Sequence, residues 1–152
     1  MKQSPELNII QANMMPGALS AHGFIGNDSR NLADILRADE KSLNQTGVTK
    51  EELSEKMQEL TNYGTSGLGR PVPMDDIFEI EVEDYRGILP CPFKDNVRLD
   101  KRQTIVRRLD TGVIMRWTDM NIHMIKEHGF FEGHGSIYRL DPVELVRFLG
   151  MG

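Results

Sequence analysis

The stretch Trp117–Ser136, WTDMNIHMIKEHGFFEGHGS, gathers three of the four histidines, the only tryptophan, two adjacent phenylalanines and three carboxylates. Imidazole titrates near neutral pH and is a common metal ligand, so this density could move protons or hold a cation. Thr118 is placed to cap a helix that stops at Gly129, a natural left-handed terminator. Within that helix Asp119, His123 and Glu127 are spaced four apart and share one face. His128 sits in the last turn, where the helix dipole favours a protonated ring.

Two chemistries fit these residue types. In the first, His123 is an acid/base group oriented by Asp119 or Glu127, in a ligand pocket built with Trp117, His128, Phe130 and His134. In the second, His123, His128 and His134 bind a divalent metal, with a carboxylate completing the set; imidazole and carboxylate suit zinc, iron or nickel. No HExxH or similarly tight motif is present, so the spacing names no metal. Ser136 and Cys91 are the obvious nucleophiles, and neither lies in a catalytic motif. An ordinary structural reading ranks ahead of both. Asp–His pairs stabilise helix surfaces, a phenylalanine pair anchors a loop, and Gly129, Gly133 and Gly135 permit a tight path. Acid/base or ligand contact comes second and metal third. His22, between Ala21 and Gly23, stands apart from the group.

Several elements must position these side chains. Residues 1–27 read as an irregular arm with turn signals at 13–17 and 26–28; its apolar residues Ile9, Ile10, Met14, Met15, Leu19, Phe24 and Ile25 dock on the core or on a second subunit. A helix is expected from Asp28 or Ser29 to Gly47 on the spacing of Leu32, Ile35, Leu36 and Leu43. A second opens at the capping box Thr49–Glu52, carries Leu53, Met57 and Leu60, and ends at Tyr63-Gly64. Together they predict a helical hairpin. Its resemblance to a helix-turn-helix opening fails, because TNYGTSGLGRPVP stands where a groove-reading helix is needed. Gly64–Pro73 is a connector; it comes after a helix and precedes a strand, the wrong context for a phosphate loop.

From Ile77 the period changes to two, with Phe78, Ile80 and Val82 alternating with Glu79, Glu81 and Glu83. Thr104–Leu109 and Val113–Trp117 flank the turn Asp110-Thr111-Gly112 and present Arg107, Arg108 and Arg116. Cross-strand Glu–Arg pairs are therefore expected, at about 0.2–1 kcal/mol each. Pro90-Cys91-Pro92 reads as an edge strand or extended loop, with Cys91 a small, at least half-buried residue. A short strand is expected over Ser136–Leu140, then a helix from the Asp141 cap and Pro142.

Composition bounds the function. The 152 residues suit one compact domain able to bury a core without staples, and 39% hydrophobic with 27% charged residues is ordinary for a globular chain. The net charge of −5 argues against nucleic acid as a partner, and a hairpin with this acidity argues the same way. Residues 94–118 alone are basic, seven Lys/Arg against three Asp/Glu, and pairing with the acidic strand accounts for them. No stretch nears the roughly 20 apolar residues of a membrane span, so no membrane partner is expected. One cysteine permits no intrachain disulfide, and the N-terminus carries no apolar signal region; both fit a cytoplasmic protein.

The expected fold is α+β: an N-terminal helical hairpin on a small, mainly antiparallel sheet, with two further short helices in the C-terminal third. The expected function is a cytosolic module binding a small molecule or a protein partner. The alternative is a small enzyme with an acid/base or divalent-metal site around His123. The apolar arm makes a homodimer a natural expectation.

Overall fold

The computed structural model describes residues 3–152. Helix α1 (Pro5–Asn13) precedes the hairpin of α2 (Leu32–Thr46) and α3 (Lys50–Gly64). Four strands come next, β1 (Val72–Met74), β2 (Phe78–Pro90), β3 (Arg98–Arg108) and β4 (Ile114–Thr118). Helices α4 (Asp119–His128) and α5 (Pro142–Phe148) complete the chain. The sheet is an antiparallel meander in the order β1-β2-β3-β4. This is the α+β arrangement that the segregation of helices and strands along the sequence implies. Among the described residues, no helix is long and apolar enough to cross a membrane.

Local sequence explains most boundaries. Thr49 accepts from the Glu52 amide while Glu52 reaches back to the Thr49 amide, which closes the expected capping box of α3. Thr118 and Asn121 make the equivalent box on α4, and Gly129 ends that helix with φ 63°. Asp141 caps α5 ahead of Pro142.

Three expectations need correction. The arm is not wholly irregular, since Ser4 caps α1 and Ile10 of that helix is buried. Helix α2 begins at Leu32 rather than beside Asp28, because the Asp28 carboxylate is taken by Arg30 at 2.6 and 2.9 Å and by the His134 amide at 3.1 Å. The orphan amides of α2 are capped from the arm instead: Leu32 N–H donates to Gln11 Oε1 and Ala33 N–H to Gln3 Oε1. Finally, Ser136–Leu140 is a run of turns and not a strand. Its backbone is tied into tight loops, Ser136 N–H to the Gly133 carbonyl and Arg139 N–H to the Ser136 carbonyl, leaving no ladder to join.

The core divides into two clusters. One lies between the hairpin, the sheet and α5, with Leu53, Met57, Leu60, Ile80, Val106, Trp117 and Phe131 at its centre. The other joins α1 and the 24–25 turn to α2, with Ile10, Met14, Phe24, Ile25, Leu32, Ile35, Cys91 and Phe130. Helix α4 feeds both, Ile122 and Ile125 into the first and Met120 and Met124 into the second. A helix with two buried faces keeps only a narrow strip for polar chemistry.

The sheet differs from expectation in its charge pairing. Glu79 faces Arg107 across β2–β3 at 3.2 Å, but Glu81 and Glu83 sit opposite Ile105 and Gln103. A bulge between Tyr85 and Ile88, with Gly87 at φ 110°, then redirects the β2–β3 arm. Beyond it Leu89 and Leu99 pair and pack against the second cluster.

Inside the first cluster, Trp117 Nε1 donates to Thr61 Oγ1 at 2.9 Å, and Thr61 Oγ1 lies 2.7 Å from Thr104 Oγ1. All three side chains are fully buried, so each depends on the others for hydrogen bonding. Thr61→Val, which keeps the shape and removes the hydroxyl, is expected to cost about 1–3 kcal/mol. Urea unfolding measures this as a lower midpoint at unchanged slope. Thr61→Ser should keep most of the stability; equal midpoints for the two variants would show that the hydroxyl chain contributes nothing.

Candidate metal centre

Strand β2 ends in the turn Cys91-Pro-Phe-Lys-Asp-Asn-Val97 before β3 begins. The Cys91 amide donates to the Val97 carbonyl at 2.9 Å and closes the turn. The Val97 amide donates to Asp95 Oδ1 at 3.0 Å, a side-chain turn typical of aspartate. Lys94 and Asn96 take positive φ of 61° and 64°, so the Asp95 side chain is carried on a sharply bent backbone. With Oδ1 engaged, Asp95 Oδ2 faces α4. There it meets His123 Nε2 at 2.7 Å and His128 Nε2 at 2.8 Å.

The two rings lie 5.5 Å apart edge to face, and both point one nitrogen at the same carboxylate oxygen. Phe93 stacks on His128 with centroids 4.0 Å apart and 8° between planes, and it meets Phe130 in an edge-to-face contact at 5.5 Å. One short turn thus supplies both a partner for the rings and the flat surface that orients one of them. The buried Cys91 thiol completes the group: Cys91 Sγ, an Asp95 oxygen and one nitrogen each of His123 and His128 lie within 4.8 Å of one another.

The electrostatics arise from this packing. Burial works to raise the Asp95 carboxyl, but hydrogen bonds from His128, the Val97 amide, His123 and Cys91 outweigh it and hold it well below the usual carboxylate range. Burial pushes the Cys91 thiol up to about 12, with the Asp95 charge adding to it, so the bare thiol is a poor nucleophile. A bound cation reverses that preference by stabilising the thiolate directly.

The remaining residues singled out in the sequence are placed elsewhere. Asp119 does not join His123; it pairs with Arg102 at 3.1 Å, and burial pushes its carboxyl up against the pull of that guanidinium. Glu127 is exposed. Trp117 is in the core and Phe130 supports Phe93 from behind, so neither walls a ligand pocket beside His123. His134 is on the far loop, 61% exposed, against Arg30 and the Asp28 carboxylate. His128 is the one member that meets His123. As a site residue Cys91 stands out in the sequence only as a nucleophile, and Asp95 not at all, because both lie some thirty positions upstream of the α4 histidines. The sequence signal that would have found them is the pairing of a lone cysteine with an aspartate four residues on in a proline-bounded turn.

A second buried polar group lies beyond α4. Glu132 is 2% exposed and adopts φ 68°, a left-handed conformation uncommon for a residue with a side chain. Asn121 Nδ2 donates to its Oε2 at 2.7 Å and Ser136 Oγ to its Oε1 at 2.6 Å. The same Asn121 closes the α4 capping box, so the start of α4 and the 129–136 loop are tied through one side chain. Gly133 lets this loop lie against the 24–25 turn; a Cβ there would stand 2.0 Å from the Ile25 carbonyl oxygen. Next to it, Arg139 grips the buried Asp39 of α2 at 2.5 and 2.9 Å and donates to the Glu132 carbonyl at 2.9 Å.

Burial pushes the Glu132 carboxyl up to about 7 in spite of the hydrogen bonds from Ser136 and Asn121. A carboxyl raised on folding binds its proton more tightly in the native state, so its contribution is fully present below its unfolded value. That contribution is lost as pH rises through about 7. Across this window the loss is expected to reach about 3 kcal/mol, at 1.36 kcal/mol for each pKa unit. Glu132→Gln should flatten the difference. Denaturant unfolding from pH 4.5 to pH 8 tests this, and parallel pH profiles for the two proteins would refute it.

Comparison with known proteins gives no match among protein families, curated proteins or solved structures.

Proposed function

We propose that this chain is a metal-binding module in which Cys91, Asp95, His123 and His128 hold one divalent transition-metal ion, zinc foremost. The observation that carries the reading is the convergence of four donor atoms of the right kinds within 4.8 Å of one another. Thiolate, imidazole and carboxylate together match zinc, which takes four such donors at about 2.0–2.3 Å in a tetrahedron. Donors in that geometry lie about 3.3–3.6 Å apart. The histidine–aspartate contacts of 2.7 and 2.8 Å need open by less than an ångström, and spacings of up to 4.8 Å in the group must close by at most about 1.2–1.5 Å.

Four protein donors leave no open position, and closed sites serve structure more often than catalysis. Here the ion would clip the Cys91–Val97 turn to α4 and so join the β2–β3 arm to the second hydrophobic cluster. The Phe93 ring stacked on His128 supplies the outer support that such ligands commonly have. Burial of Cys91 disfavours a free thiolate and favours one held by a cation. The module reading therefore takes precedence over an enzyme built on His123.

Protein purified without a tag is expected to carry one equivalent of zinc by elemental analysis. Removing it with a chelator should lower stability by about 4 kcal/mol relative to protein with zinc at a thousand times its dissociation constant. Cobalt substitution should show a thiolate-to-metal charge-transfer band. Cys91→Ser should abolish that band while the ligand-field bands persist, and His128→Ala should weaken affinity by about 10- to 100-fold or more. Acidification below about pH 6 should release the metal, since imidazole and thiol bind only when deprotonated. Absence of stoichiometric metal, with no change in melting temperature on adding zinc, would overturn the assignment.

A further inference from the structure

The second half of β2, the first half of β3, the start of α4 and the 20–24 loop enclose a cleft of roughly 480 Å³ that contains none of the four metal donors. Its size falls in the range of small-molecule sites. Its lining combines apolar, buried polar and exposed cationic side chains. Phe24, Leu89 and Met120 supply apolar wall. The Glu132 side chain, nearly inaccessible and fixed by Asn121 and Ser136, reaches the cleft at its inner end. Tyr138 Oη donates to Gln103 Oε1 at 2.6 Å beside it, which leaves the Gln103 amide protons for another acceptor. At the outer end lie Arg86 and Lys101, both exposed, and among the described residues neither has an ion-pair partner. Arg102 is already held by Asp119, and Asp100 is the one acidic side chain on that rim.

We propose that this cleft is a second site, one that binds a small organic anion with an apolar body and a hydrogen-bond donor at its far end. The anionic group meets Arg86 and Lys101, the body lies over Phe24, Leu89 and Met120, and the donor group reaches the Glu132 carboxyl. Several separate features support this assignment. The buried carboxyl is carried on left-handed backbone at φ 68°, and strain of this kind collects where a side chain must be aimed. The bulge that turns the β2–β3 arm spans Arg86 and Gly87, so it places one of the two cations on the rim. Burial also keeps the Glu132 carboxyl near the point of half-ionisation at neutral pH, where it can accept from a ligand hydroxyl or amine. The site is independent of the metal reading, since it uses none of the four metal donors.

4-Hydroxybenzoate has all three features and serves as the probe, with 4-hydroxybenzyl alcohol as its uncharged counterpart. In an amide-resolved NMR titration of the full chain, the acid is expected to shift Gln103, Glu132 and Tyr138 saturably, with millimolar affinity of about 4 kcal/mol. The alcohol should bind at least about fivefold more weakly. Arg86→Glu with Lys101→Glu, both exposed positions, should reduce binding of the acid by a similar factor and leave the affinity for the alcohol unchanged. Shifts at His123 and His128 in place of the cleft residues would mean that the carboxylate is bound at the metal centre, and would overturn the proposal. Equal binding of acid and alcohol, or no saturable shift up to about 20 mM acid, which excludes millimolar affinity, would overturn it too.

Discussion

Helix α4 is held on two sides, and that constraint governs the rest of the structure. Ile122 and Ile125 enter the cluster beneath the sheet, while Met120 and Met124 enter the cluster shared with α1 and α2. A ten-residue helix committed in two directions has little surface left. Those of its polar side chains that are buried or half-buried must then be satisfied within the protein, because buried polar groups without partners are costly. Asn121 is fully buried and finds Glu132; His123 and His128 find Asp95; Asp119 finds Arg102. The two sites proposed for this chain are the two places where those partners come from another segment and cluster with further chemistry.

The two sites answer the same packing constraint in different ways. On one side, a seven-residue turn brings a thiol, a carboxylate and an aromatic ring to the end of α4, and its short internal hydrogen bonds hold them in place. On the other, the return loop after Gly129 folds back under the helix and buries a single carboxyl. The first arrangement converges donors on a point, the geometry suited to an ion. The second spreads polar groups around an apolar cleft, the geometry suited to a molecule. Coupling between them would run through α4 itself, since Asn121 and His123 are two residues apart on opposite sides of one rigid element.

Much of the fold was legible in the chain. Periodicity of 3.6 in α2 and α3, the Thr49 capping box, the alternation at Phe78–Val82 and the Asp141-Pro142 start all act over a few residues, and the structure keeps them. Local signals misled where a distant segment intervened. Asp28 would have capped α2 had Arg30 and the His134 amide not taken its carboxylate, and glutamines of the arm took over the cap. Ser136–Leu140 has the composition of a strand but lies where turns bind Asn121, Glu132 and Asp39 to one another.

The same division separates what was knowable about the site. The sequence by itself determined that histidines would cluster on α4, with Gly129 ending the helix and Phe130 anchoring the return loop, because helix caps and face periodicity are local properties. It pointed to Asp119 and Glu127 as partners of His123, since residues four apart share a helix face. Tertiary structure decided otherwise, because hydrogen-bond partners are chosen by proximity after packing. The bulge at Arg86-Gly87 and the tight turn at Cys91–Val97 brought Asp95 and Cys91 across about thirty residues of sequence to His123 and His128. No periodicity within α4 encodes that meeting; it is set by where the β2–β3 arm bends to pack Leu89 and Leu99 against the second cluster.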